Sequence, residues 1–205
     1  METLSKLFGS AVRVKILRLF LFHPGEIYDV DMVVKRVRGD STSVKKEIAM
    51  LASIGFVKKR ATRTILKSGK KKPAQGYMLS ESFPLSEPLA TLLIDSELVG
   101  GRDIATRFQA AGRVKLLITS GIFNQDSRSN NGGVDILIVG DRFTKTGLDK
   151  VVTLLEAEVG KELRYVVFSP EEFAYRMDMY DSFLRDIFNG PHEKVVNTMG
   201  DIVLR

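Results

Sequence analysis

Val114-Lys115-Leu116-Leu117-Ile118-Thr119-Ser120-Gly121 and Val134-Asp135-Ile136-Leu137-Ile138-Val139-Gly140-Asp141 are two short apolar runs on either side of a polar loop rich in Asn, Ser and Gly. Runs of this length, bounded by glycine-bearing turns, read as buried strands. One acid, Asp135, stands inside the second run. A carboxylate there is either what remains of phosphate and metal chemistry or a structural acid at a strand edge.

The flanking sequence alternates between helix and strand. Upstream, Ile104, Phe108 and Ala111 share one helix face. Downstream, Leu148, Val151, Val152, Leu155 and Val159 predict a helix over 146–162, and Arg164-Tyr165-Val166-Val167-Phe168 predicts a further strand. Ser169-Pro170-Glu171-Glu172 is a helix start with Ser169 as cap and proline in the first turn. A last helix over 181–189 stops at Gly190-Pro191. The whole reads as a small α/β unit with two or three central strands.

A strand ending at glycine, a loop of about a dozen residues and the run Val134-Asp135-Ile136-Leu137-Ile138-Val139 resemble the minimal nucleotidyltransferase domain of the DNA polymerase beta superfamily. The resemblance covers 112–195. An active member of that family carries a Gly-Ser pair after the first strand, two acids one residue apart on the second, and a third acid on a later strand. Together they hold two divalent cations about 3.5–4 Å apart. Here Gly121 matches the glycine and Asp135 one acid, whereas Ile122, Gly133 and Arg164 or Tyr165 stand where the serine and the other acids belong. The resemblance therefore implies a vestigial nucleotide site marked by Gly121 and Asp135, with no catalytic residues and no metal or other cofactor. Asp126 and Asp141 are the acids an active enzyme would have to use instead. Asp135 is expected to be structural, capping the loop over 130–133.

The chain has 205 residues, 44% of them hydrophobic and 27% charged, enough to build a soluble core. No segment reaches the ~20 apolar residues that cross a bilayer. The run over 16–22 is interrupted by Arg18, and the start lacks a basic leader, so the expectation is a cytoplasmic protein with no membrane partner. With no cysteine, thiolate sites and disulfides are excluded, and the two histidines, His23 and His192, lie far apart. Both are expected at the surface.

The net charge of +6 is unevenly divided. Residues 1–79 hold 17 Lys or Arg against 6 Asp or Glu, a balance of +11 that leaves −5 for the rest. A basic half next to an acidic half points to a polyanion-binding module joined to something else.

Within the basic half, Leu4, Leu7, Phe8 and Ala11, then Val14, Leu17 and Leu21, recur at helical spacing with a break near Gly9-Ser10, before His23-Pro24-Gly25. Asp29 caps a short helix with Val30, Val33, Val34 and Val37 on one face, ending at Gly39. Asp40 caps a third, with Val44, Ile48, Leu51 and Ala52 inward and Gly55 as its stop. Two strands, at Phe56-Val57-Lys58-Lys59-Arg60 and Gly76-Tyr77-Met78-Leu79, flank a basic loop, Lys67-Ser68-Gly69-Lys70-Lys71-Lys72-Pro73.

This order of helices and a basic hairpin resembles the winged helix-turn-helix transcriptional regulators, including the arsenic-repressor-like group, over about 80 residues. The resemblance implies double-stranded DNA as the partner, with the third helix in the major groove and the hairpin along the backbone. It assigns DNA contacts to Ser41, Thr42, Ser43, Lys45 and Lys46 on the helix and to Arg60, Arg63, Lys70, Lys71 and Lys72 on the wing. The plain alternative is that these lysines form an ordinary solvated face.

Ser86 and Pro88 open a linker helix with Leu85, Leu89, Leu92 and Leu93 on one stripe, which either packs back or pairs with its copy in a homodimer; Gly100-Gly101 is the expected hinge. The expected architecture is α+β: a winged helix-turn-helix over 1–80, a linker helix and hinge over 81–101, and a nucleotidyltransferase-like domain over 102–205. The corresponding function is DNA-binding transcriptional regulation, with the second domain serving oligomerisation or sensing a ligand such as a nucleotide. An active metal-dependent nucleotidyltransferase and an antitoxin-like protein-interaction module are the rival readings.

Overall fold

The computed structural model describes residues 2–65, 71–95, 100–123 and 133–200. It is a mixed α+β protein, with a two-stranded and a four-stranded sheet among the described residues. Contacts divide the chain into two units, Met1–Ser96 with Leu154–Lys161, and Glu97–Thr153 with Glu162–Arg205.

In the first unit, the expected break separates α1 (Glu2–Phe8) from α2 (Ala11–Phe22). Gly9 takes a left-handed φ of 71°, and the Ser10 hydroxyl accepts the Arg13 amide at 3.2 Å, satisfying one of the orphan donors of a helix start. α2 is buried on most sides, through Val14, Ile16, Leu17, Arg18, Leu19 and Phe20. His23 caps it and is half-buried rather than at the surface, its ring edge-on to Tyr28.

Asp29 caps α3 (Val30–Val37) by accepting the Met32 amide at 2.8 Å. The helix ends on Arg38, not on Gly39. Arg38 holds φ 50° and ψ 44°, and Gly39 is needed for space, since a Cβ there would lie 2.9 Å from Val44 Cγ2. Asp40 then caps α4 (Ser41–Ser53), its carboxylate accepting the Ser43 amide at 2.7 Å. At the far end Phe56 N–H reaches Leu51 O at 3.0 Å and Gly55 N–H reaches Ala52 O at 3.1 Å. This pair of bonds, with Gly55 at φ 80°, is a Schellman closure. The accompanying apolar contact is supplied by Phe56 and Leu51, both buried.

β1 (Val57–Ile65) and β2 (Lys71–Leu79) pair antiparallel, with Val57 opposite Leu79 and Arg60 opposite Gly76. Tyr28, between α2 and α3, adds a bridge to β2: its N–H donates to Tyr77 O at 2.9 Å and its carbonyl accepts from Tyr77 N at 2.8 Å. A Cβ at Gly76 would crowd Ile27 Cγ2 and Tyr28 O, so glycine is what lets this segment lie against the hairpin. α5 (Ser86–Ala90) runs into a π-helical turn at Thr91–Asp95 that buries Leu93 and leaves Leu85 and Leu92 exposed.

In the second unit, α6 (Gly101–Ala111) leads into β3 (Arg113–Thr119), and a 3-10 turn at Gly121–Phe123 follows. β4 (Ile136–Asp141) pairs antiparallel with β3. α7 (Lys145–Val159) carries the chain to β5 (Tyr165–Phe168), parallel to β4, as a crossover through a helix requires. α8 (Pro170–Asp178) and α9 (Ser182–Asn189) precede β6 (Glu193–Asn197), and the strand order is β5-β4-β3-β6. β6 has no counterpart in the sequence reading, because Glu-Lys-Val-Val-Asn is short and mostly polar. It becomes a strand by pairing with β3, at Leu117↔Val196. Leu116, Ile118, Leu137 and Val139 form the face covered by Phe173, Leu184 and Ile187 of α8 and α9. The alternate residues Leu117, Ile136 and Ile138 are buried on the opposite face, the period-2 pattern of a two-sided sheet.

Candidate functional site

α4 presents two faces. Val44, Ile48 and Leu51 turn inward at helical spacing, and Ser41, Thr42, Ser43, Lys45 and Lys46 are all exposed. Glu47 is a fourth inward residue that the apolar pattern does not announce. Its Oε2 accepts from Arg13 Nε at 2.8 Å, while Arg13 Nη1 donates to Phe8 O at 2.7 Å. This partly buried pair ties α4 to α2 and sets how the exposed face is held.

Among the described residues Lys45, Lys46, Lys59 and Arg60 have no ion-pair partner. Their charge is available to an external anion. Asp40 occupies the start of α4, where hydrogen bonds from Ser43 hold its carboxyl below the usual range. It already takes the Ser43 amide at 2.7 Å, which leaves the exposed side chains of Ser41, Thr42, Ser43, Lys45 and Lys46 as the outward polar groups of this turn.

The hairpin residues expected to contact DNA are placed unequally by the structure. Arg60 is exposed on β1 opposite Gly76. Arg63, Lys71 and Lys72 lie on the hairpin strands by register, opposite Pro73, Ile65 and Thr64. Lys70 lies outside the described residues.

Gly121 and Asp135 do meet. Asp135 is fully buried, and its carboxylate accepts from Ile122 N at 3.2 Å, Arg164 N at 2.9 Å, and Arg164 Nε and Nη2, both at 3.4 Å. Gly121 has φ 55°, and a Cβ there would fall on Asp135 Oδ1, so the glycine makes room for the carboxylate. Ser120 completes the junction, its amide donating to Asp135 O at 2.9 Å and its hydroxyl to Val134 O. The donors around Asp135 are two backbone amides and a guanidinium, which is the company of a structural acid. Of the loop over 130–133 that it was expected to cap, residues 130–132 lie outside the described residues, as does Asp126. Asp141 sits at the other end of β4, 3.6 Å from Lys115 Nζ. Among the described residues no three acids or histidines come together in a way that would hold a metal ion.

Arg164 stands at a vacant acid position of the expected site and reaches back to Asp135; an acid and a base at the starts of neighbouring strands are the only sequence signal of that contact. No helix among the described residues is long and apolar enough to cross a membrane. No protein-family model matches the chain, and no curated protein matches it.

Proposed function

We propose that the chain is a DNA-binding transcriptional regulator in which α2, α3, α4 and the β1–β2 hairpin act as a winged helix-turn-helix. The observation that carries this reading is the outer face of α4, where Ser41, Thr42, Ser43, Lys45 and Lys46 are exposed together on a helix whose opposite side is locked into the core. Hydroxyls and lysines at the start of such a helix are the groups that meet phosphates and base edges. Arg60, Arg63 and Lys70 to Lys72 would track the adjacent backbone. The exposed Leu85 and Leu92 support a homodimer, which would match a palindromic site.

The second unit is read as a degenerate nucleotidyltransferase-like domain that assists oligomerisation or senses a ligand. The engagement of Asp135 by Arg164 favours this reading over an active transferase, because an acid that carries a guanidinium and two amides is not available to a cation. The reading places the protein in the cytoplasm.

Two measurements test it. Genome-wide recovery of bound DNA should enrich discrete sites for the native chain and lose them for the Lys45→Ala, Lys46→Ala double variant. Duplex affinity should fall steeply with salt, and the same double variant should reduce the slope of log K against log salt by about 2. No enriched site, or an affinity indifferent to salt, overturns the proposal.

A further inference from the structure

Asp135, Gly121 and Arg164 lie at the end of the four-stranded sheet where β3 finishes and β4 and β5 begin. The opposite end holds a different cluster, where Arg113 pairs with Asp141 in the strand register. Gln109 and Ala111 at the end of α6, the extended Gly112, Arg113 and Arg142 line a shallow, widely open depression of about 580 Å³ there. Close approaches build its wall. A Cβ at Gly112 would fall on the Phe143 ring, and one at Gly140 on the Arg113 carbonyl.

The charges in this cluster are unbalanced. Arg113 has no ion-pair partner among the described residues. Asp141 faces two cations, Lys115 Nζ at 3.6 Å and Arg142 Nε at 3.8 Å. Glu171 is the nearby acid that Lys115 also influences. Arg142 is held at φ 60°, a left-handed conformation that a Cβ disfavours, with its side chain 83% exposed. Two arginines thus face open space in the half of the chain that carries −5 overall.

The other wall limits what fits. The last carbonyls of a helix have no donor within it and form its negative end, so a bare anion gains little from the end of α6. We propose that this depression binds a small organic anion, Arg113 and Arg142 taking its phosphate or carboxylate and the terminal carbonyls of α6 accepting from N–H or O–H donors on the same molecule. The proposal deepens the ligand-sensing part of the function above and rests on it for its role, while its binding chemistry is independent of duplex recognition.

The test titrates isotopically labelled full-length protein, without DNA, with adenosine monophosphate, glutamate and inorganic phosphate. At least one of the two organic probes should shift the Gly112, Arg113 and Arg142 amides saturably, and more tightly than phosphate. Arg113→Gln and Arg142→Gly should each weaken that binding at least tenfold. Because glycine accepts φ 60° freely, Arg142→Gly should keep or raise the thermal midpoint, which separates loss of the site from loss of the fold. Absence of a saturable shift with both organic probes, or binding unchanged in both variants, overturns the proposal, as does a response at these amides to duplex DNA alone. Any of these would leave the salt and enrichment results for α4 untouched.

Discussion

A carboxylate withdrawn from water costs several kcal/mol unless donors replace the solvent, and at Asp135 two backbone amides and the Arg164 guanidinium supply them. Asp135→Ala should therefore lower unfolding stability by about 2–4 kcal/mol, since it leaves buried amides without an acceptor. The measurement is chemical denaturation with and without magnesium and a chelator. The midpoint of the native protein should not respond to either, and a magnesium-dependent rise would assign the acid to metal instead. Asp40 behaves differently because it is exposed. Its folded carboxyl titrates below the ordinary value of 3.8, through hydrogen bonds from Ser43. A depressed acid of this kind contributes stability above its unfolded pKa and loses it as pH falls through the folded one. Asp40→Asn, which retains a capping oxygen, should flatten the loss of stability below about pH 4, read from helix signal against pH. A profile parallel to that of the native protein would show that the cap contributes nothing in acid.

At the scale of elements, the turn between α3 and α4 stores strain, whereas the end of α4 does not. Arg38 adopts a left-handed conformation that costs a residue with a Cβ about 1–2 kcal/mol, part of which glycine would return as backbone entropy. Arg38→Gly should stabilise the fold by about 0.5–1 kcal/mol. Gly55→Ala is the converse case. Nothing lies within 4 Å of a Cβ at Gly55, so the left-handed φ alone should cost about 1 kcal/mol. Equilibrium denaturation of the two variants checks both signs. These caps also show how legible the elements are. Asp29, Asp40, Ser169 and Gly55 act where short-range pattern places them, because each bonds to a backbone group three residues away, the first three accepting an amide and Gly55 donating to a carbonyl. The exact stop of α3 escaped, since a neighbouring glycine looks like the C-terminal residue when its real constraint is the approach of Val44 and Val37.

Over the whole molecule, one residue changes meaning most. Arg18 reads along the chain as an interruption in an apolar run, yet it is fully buried, and desolvation lowers its guanidinium to about 10 while Glu158 pulls the other way. Nε donates to Leu93 O at 2.9 Å and Nη1 to Glu158 O at 3.0 Å. The segment Leu154–Lys161 thereby belongs to the first unit. Gly160 permits this contact, with φ 87° and a Cβ position 2.7 Å from Leu19 N. Gly160→Ala must move backbone rather than a side-chain tip, and should cost more than about 2 kcal/mol. Native-state hydrogen exchange should show lost protection along α2; unchanged exchange there would mean that the segment contributes nothing to the unit.

The sequence by itself determined the mixed α+β class, the main helices and the division of charge between a basic and an acidic half. These depend on side-chain period, local capping and composition, all of which act over a few residues or none. It also marked Gly121 and Asp135 as belonging together. Tertiary structure decided what Asp135 bonds to, why Arg18 is tolerated in a core, how Glu47 is held by Arg13, and that a polar run at Glu193–Asn197 becomes a strand. Each of these depends on a partner distant in the chain, and the cost of burying a charge or an unpaired backbone is set by the donors and acceptors that folding brings to it.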